Sequence, residues 1–169
     1  ARWSDATVIA TVSSDTKGAL ATSAGAHHVV RYGDGTDVAA AVRSVAPDGV
    51  DLVVEVAAGA NAATNAAVLK PRGTVAIYAN NGDQPFDLDV RAHMGLNTRL
   101  QFVLLYTVGW DKLRAAGDDI NAAIAAGALR IGEDAGLLVH HFALDRTADA
   151  HRAVEDGATG KVLITVAEA

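Results

Sequence analysis

The apolar positions of this chain change period again and again. Short runs rich in valine and isoleucine fall at Ala6–Val12, Val29–Tyr32, Val50–Val56, Thr74–Tyr78, Leu100–Tyr106 and Val162–Val166, and each reads as a strand. The run Asp51-Leu52-Val53-Val54-Glu55-Val56 is apolar almost throughout, as in strands covered on both faces of a parallel sheet. Alanine-rich stretches of helical spacing lie between these runs. Ser14 or Asp15 is placed to cap a helix running to Gly25, and Asp37 to open one that stops near Pro47. Further helices are expected from about Asn61 to Lys70, from Trp110 to Gly127, and from an Asp145 cap through Val154 to Gly157. Strand alternating with helix implies right-handed crossovers and a doubly wound, mostly parallel α/β sheet. Alanine lets such helices lie close to the sheet, so packing contributes as much as propensity.

Composition narrows the chemistry. The 169 residues are 50% hydrophobic and 20% charged, the balance of a folded domain with a real core. With no cysteine, thiolate nucleophiles, disulfides, zinc knuckles and iron–sulfur clusters are excluded from this chain. A net charge of −6 without any basic block argues against a nucleic-acid surface. No apolar run approaches the ~20 residues that span a bilayer, and Ala1-Arg2-Trp3-Ser4-Asp5 lacks a signal-peptide layout. These point to a cytoplasmic protein with no nucleic-acid or membrane partner and a small-molecule substrate.

Several motifs dissolve on inspection. Gly33-Asp34-Gly35-Thr36-Asp37-Val38 lies between a strand and a helix but lacks the third glycine of a dinucleotide fingerprint. Gly157-Ala158-Thr159-Gly160-Lys161 is too short for a phosphate loop, Val162 replaces the required hydroxyl, and a strand follows. His27-His28 and His140-His141 are neighbours on strands, so their side chains face opposite ways and do not grip one ion. Asp87 and Asp89, alternating with Phe86 and Leu88, fit a half-exposed loop rather than a calcium site. Glu55, in an apolar strand, is either a carboxyl with a raised pKa or one hydrogen-bonded near the strand end. The loop Asn80-Asn81-Gly82-Asp83-Gln84-Pro85 follows a strand, at the edge where open α/β sheets bind ligands.

The sharpest signal is the tip of the first strand, where Ser13-Ser14 follow Val12 and Lys17 stands one helical turn on. An acidic residue at this tip would bond the ribose hydroxyls of NAD. Two hydroxyls and a cation suit a ribose 2′-phosphate instead, which reads as an NADP pocket. A helix cap with a solvated lysine is the plainer alternative.

Three stretches, VIATVSSDTKGALATSAGAHHVVRY, GVDLVVEVAAGANAATNAAVLKPRGTVAIYANNG and HFALDRTADAHRAVEDGATGKVLITV, resemble the cofactor domain of the medium-chain dehydrogenase/reductase superfamily. The likeness is to its zinc-free NADPH:quinone oxidoreductase (zeta-crystallin-like) branch. The resemblance implies NADPH as cofactor, with Ser13, Ser14 and Lys17 at the adenosine phosphate and Tyr32 beside the adenine ribose. It implies that Ala58 and Gly59 turn against the cofactor, that Ala79, Asn80, Asn81 and Gly82 form the nicotinamide-side turn, and that the backbone of Leu104, Leu105 and Tyr106 meets the carboxamide. Lys161 matches the lysine of the family's TGK motif near the site. Ala79 departs from the family's usual glycine. It further implies that residues 1–136 form an incomplete Rossmann-like domain, lacking its first strand and Gly-rich loop. Residues 137–169 would be a strand-helix-strand returning toward a catalytic domain outside this chain. The expected sheet is the 3-2-1-4-5-6 order without its central strand, with the strand at Leu100–Tyr106 on its edge and pairing across a twofold axis in a homodimer. The activity implied is hydride transfer to a quinone or an activated carbonyl or alkene, with no catalytic side chain in this chain. Two readings from other classes stand beside it: a binding-only nucleotide-sensing or structural module, and an S-adenosylmethionine-dependent transferase, whose cofactor ribose normally wants the acidic tip missing here.

Overall fold

The computed structural model describes residues 1–167, which divide into two compact units: residues 1–31 with 120–167, and residues 32–119. In the first unit, β1 (Ile9–Val12) pairs in parallel with β2 (His28–Arg31), and α1 (Asp15–Ser23) connects them. Ser14 caps α1, its Oγ accepting the Lys17 amide at 3.3 Å. Gly18 of α1 lies so near the sheet that a Cβ there would touch Val29 at 3.4 Å and Val12 at 3.7 Å, the close helix approach that small residues allow. The same unit holds β6 (Val139–Ala143), α6 (Thr147–Glu155) and β7 (Lys161–Thr165), the two strands again parallel. Gly160 turns the chain into β7 at φ +110°, and a Cβ there would sit 2.5 Å from the Leu138 carbonyl oxygen. Only glycine fits that combination.

The second unit carries α2 (Val38–Val45), β3 (Val50–Glu55), α3 (Ala58–Val68), β4 (Leu69–Ile77), α4 (Val90–Leu96) and β5 (Arg99–Phe102). Its sheet runs β3-β4-β5, all parallel, with β5 on the edge. The core gathers Ala58, Leu69, Val75 and Ile77, with Val50, Val53, Phe86, Leu96 and Leu100 packed around them. The Arg43 guanidinium fastens α2 to the end of α3 and the start of β4: it donates to the carbonyls of Ala67 (3.0 Å), Pro47 (3.0 Å) and Leu69 (3.1 Å). A longer helix, α5 (Trp110–Ala125), contains the point at which the two units divide.

The expected α/β class, with every strand ladder parallel, is the observed one. Among the described residues the strands form separate sheets of two, three and two strands. The expected 3-2-1-4-5-6 order is therefore seen only as the adjacent pair β1-β2 in the first unit and the run β3-β4-β5 in the second.

Several boundaries move for local reasons. The first strand starts at Ile9 rather than Ala6, because the Val8 amide turns to the His27 Nδ1. The third helix begins at Ala58, not Asn61, and ends at Val68, where Leu69 is already extended ahead of Pro71; β4 therefore opens earlier than Thr74. The strand expected to run to Tyr106 stops at Phe102, level with the end of β4, and Leu105–Thr107 coil into a 3-10 turn closed on the Leu104 carbonyl. Asp145 caps no helix. It lies in a 3-10 turn, Leu144–Arg146, and α6 starts two residues later with the Thr147 hydroxyl on the Leu144 carbonyl. The loop expected at Asp87–Asp89 leads into the unforeseen α4, whose first turn Asp89 caps through the Ala92 amide at 2.9 Å.

Candidate functional site

At the tip of β1, Lys17 folds back along the first turn of α1 so that its Nζ donates to the Ser13 Oγ at 3.1 Å. Among the described residues no carboxylate lies within ion-pair distance of this ammonium. Neighbouring Asp15 is engaged elsewhere, meeting the guanidinium of Arg31, the last residue of β2, at 3.3 Å. The tip thus offers an exposed cation, the half-buried Ser13 and Ser14 hydroxyls, and no acid facing them. The plainer reading of Ser14, a helix cap, is observed; accepting that bond leaves its hydroxyl proton free to be donated. The Arg31 guanidinium at this rim is a polar feature missed in the sequence, where it reads simply as the end of a strand.

The second unit contains a cleft of about 430 Å³ above the ends of β4 and β5, lined by Ala58, Ile77, Tyr78, Ala79, Asn80, Phe86, Phe102, Val103, Leu104 and Thr107. Of the positions singled out in the sequence, Ala58, Ala79, Asn80 and Leu104 are brought together here. Gly59, Asn81 and Gly82 are not among its lining residues. The Gly59 amide donates to the Asn80 Oδ1 (2.8 Å), and the Asn81 amide to the Val56 carbonyl (2.8 Å). Leu105 and Tyr106 lie outside it in the 3-10 turn, Tyr106 being 91% exposed. Tyr32 follows β2 directly and is half exposed. Lys161 opens β7, its amide on the Leu138 carbonyl and its side chain exposed. The sequence did not single out Phe86, Phe102 or Thr107 for this cleft. Phe86 had the best available signal, as an aromatic residue in an otherwise polar loop.

The β3–α3 turn, whose Ala58 lines the cleft, is held by a buried carboxylate. Glu55, 3% exposed at the end of β3, accepts at Oε1 from the amides of Val56 (2.7 Å) and Ala57 (2.5 Å) and from Asn61 Nδ2 (3.0 Å), and at Oε2 from Asn65 Nδ2 (2.6 Å). Burial pushes its pKa up, but the donors of Ala57, Asn65, Asn61 and Val56 more than offset this and hold it below the ordinary glutamate value. Of the two readings offered by the sequence, the hydrogen-bonded carboxylate is the observed one.

The discounted motifs serve the scaffold. Asp37 caps α2 through the Ala40 amide, His27 accepts the Val8 amide, and the His140 ring bonds the Thr159 carbonyl. Among the described residues no three His, Asp or Glu side chains gather as a metal site, and no helix is long and apolar enough to cross a membrane.

Residues 1–122 match the family described as zinc-binding dehydrogenase. A quinone oxidoreductase of Sus scrofa is 25% identical over 142 residues, which is 83% of this chain but 41% of that protein. The quinone oxidoreductase structure from Pseudomonas syringae pv. tomato DC3000 superposes with a TM-score of 0.75 at 21% identity, over 94% of this chain and 48% of that one. A 2-haloacrylate reductase structure gives 0.77 at 24% identity, over 96% and 50%. This chain thus spans less than half the length of the curated relatives it matches. With parallel α/β ladders and a family match over most of its length, the chain belongs to the zinc-binding dehydrogenase family of medium-chain dehydrogenase/reductases.

Proposed function

We propose that the protein carrying this chain is an NADPH-dependent oxidoreductase that reduces a quinone or an activated carbonyl or alkene. The observation that carries this reading is the Lys17 ammonium on the Ser13 hydroxyl at an acid-free strand tip. A 2′-phosphate brings a dianion that would repel a carboxylate there and pair with an ammonium. Ser13, Ser14 and Lys17 therefore bind this phosphate, and Tyr32 flanks the adenine ribose. The cleft of the second unit suits the nicotinamide end. Ala58 and Gly59 with Ala79, Asn80, Asn81 and Gly82 form its nicotinamide-side turns, the backbone of Leu104, Leu105 and Tyr106 serves the carboxamide, and Lys161 takes the part of the lysine in the family's TGK motif. When bound, the dinucleotide supplies the hydride; the chain orients it and excludes water with Ile77, Phe86 and Phe102. No acid or base from this chain is needed. Among the described residues no cluster of His, Asp or Glu gathers that could hold a zinc ion, and no step is assigned to a metal. The names of the relatives support quinone or alkene reduction.

On the same reading the protein is cytoplasmic, residues 137–169 return toward a catalytic domain, and the edge strand β5, with its exposed Phe102, pairs with a second copy in a homodimer. The test is a fluorescence titration of the full-length natural protein with NADPH and NADH, followed by turnover on a quinone panel. NADPH should bind more tightly, and Lys17→Ala should weaken it about tenfold while leaving NADH unchanged, as expected for one exposed charge-assisted contact of ~1.4 kcal/mol. Equal affinities, or an unchanged NADPH affinity in the variant, refute the phosphate assignment. Cofactor binding without turnover would favour a binding-only module.

A further inference from the structure

We infer that Glu55 is a positioning residue for the nicotinamide-side cleft, a role that rests on the function proposed above. The connection is a continuous chain of short contacts within one unit. On one side of the β3–α3 turn, the carboxylate takes the Val56 and Ala57 amides and the amino groups of Asn61 and Asn65, four N–H donors in all. On the other side, the same turn holds the loop that borders the cleft. Asn81 donates to the Val56 carbonyl, Ala57 bridges Asn80 in antiparallel fashion, and Gly59 donates to the Asn80 Oδ1. The Asn80 Nδ2 then closes the loop on the Gln84 carbonyl at 2.9 Å. Two lining residues of the cleft are thereby held: Asn80 directly, and Ala58 between its bonded neighbours Ala57 and Gly59.

The donor count explains why a carboxylate is needed. All four partners are N–H groups, so the site wants an acceptor with two oxygens, and an ionised carboxylate is the side chain that supplies it. Among the described residues no cation pairs with Glu55, so its buried charge is stabilised by these donors alone. A buried anion in this situation holds its partners tightly, because releasing any one of them leaves the charge under-solvated. The turn is thereby fixed, and with it the wall of the cleft.

The experiment uses the full-length natural protein and Glu55→Gln, which keeps the shape but has one acceptor oxygen where the carboxylate has two. Expected are a rise of about tenfold in KM for NADPH, kcat within about twofold, and faster hydrogen exchange at the amides of Ala57, Gly59 and Asn81. Adding Asn65→Asp to Glu55→Gln supplies an acceptor opposite the new amino group and should recover most of both effects, which a merely structural loss would not show. If Glu55→Gln fails to fold, Asn61→Ala removes a single donor and should give the same pattern in weaker form. Unchanged KM and exchange in the folded variant would overturn the proposal, as would KM and kcat falling off together without recovery in the double variant. If the unaltered protein takes up neither NADPH nor NADH, the proposed function fails, and the amide exchange alone decides whether Glu55 orders the turn.

Discussion

Replacing Gly59 with alanine tests how tightly the loop after β4 lies on the α3 N-terminus. In a helix, glycine to alanine ordinarily stabilises by up to ~1 kcal/mol. Here the new Cβ would fall 2.1 Å from the Gln84 carbonyl oxygen, 2.7 Å from the Gln84 carbonyl carbon and 2.9 Å from the Pro85 oxygen. All three are backbone atoms, so the clash is relieved only by moving the loop. That movement strains or breaks the bonds from Gly59 to Asn80 and from Asn81 to Val56, each worth ~1 kcal/mol. Overpacking of this kind costs about 1–3 kcal/mol, which exceeds the propensity gain. Gly117 in α5 provides the control, since a Cβ there meets nothing within 4 Å. Urea unfolding followed by circular dichroism should show Gly59→Ala destabilised by about 1–2 kcal/mol and Gly117→Ala stabilised by ~0.5–1 kcal/mol. Two variants moving in the same direction would refute the argument.

Three further outcomes rest on the same geometry. Because the Glu55 pKa is depressed in the fold, its stabilising contribution is complete above the unfolded value, about 4.3, and is lost as pH falls through the folded one; urea midpoints should drop in this acid range, and Glu55→Gln should flatten the fall. Arg43→Ala strands three carbonyls that the guanidinium now serves and should cost about 2 kcal/mol in urea unfolding, with Arg43→Lys recovering only part, since an ammonium does not span the same fork. Light scattering of the full-length protein should give a dimer mass that Phe102→Lys shifts toward monomer; a monomer from the start would remove the edge-pairing proposal.

Where the sequence carried a local instruction, the structure follows it. Ser14 and Asp37 cap the helices they were read to cap, and the valine-rich run at Val50–Glu55 is a parallel strand. The lysine and serine at the first strand tip meet because Lys17, in the first turn of α1, reaches back past the Ser14 cap to Ser13 four residues before it. Asp145 illustrates the opposite case. It has the residue type of a cap, but a 3-10 turn intervenes, while Asp149, read as an ordinary helix position, takes both Arg146 and Arg152 and lies below the usual carboxylate pKa through these two contacts. The cleft was half legible. Its glycine and asparagine loop stands out by composition, but Phe86 and Phe102 enter it through tertiary packing that no periodicity encodes. Asn61 and Asn65 likewise read as ordinary helix residues until β3 delivers the carboxylate between them.

Every ladder in this chain is parallel, and each joins strands separated by a helix. Among the described residues no tight hairpin exists to start a sheet cheaply. Before the first interstrand bond forms, a loop on the order of twenty residues must close, which slows early sheet formation relative to helix formation. During refolding, helical circular dichroism should therefore rise ahead of strand amide protection. In that interval the valine-rich segments are exposed and unpaired, so dilution and chilled refolding matter more for the yield of this protein than any property of its finished fold.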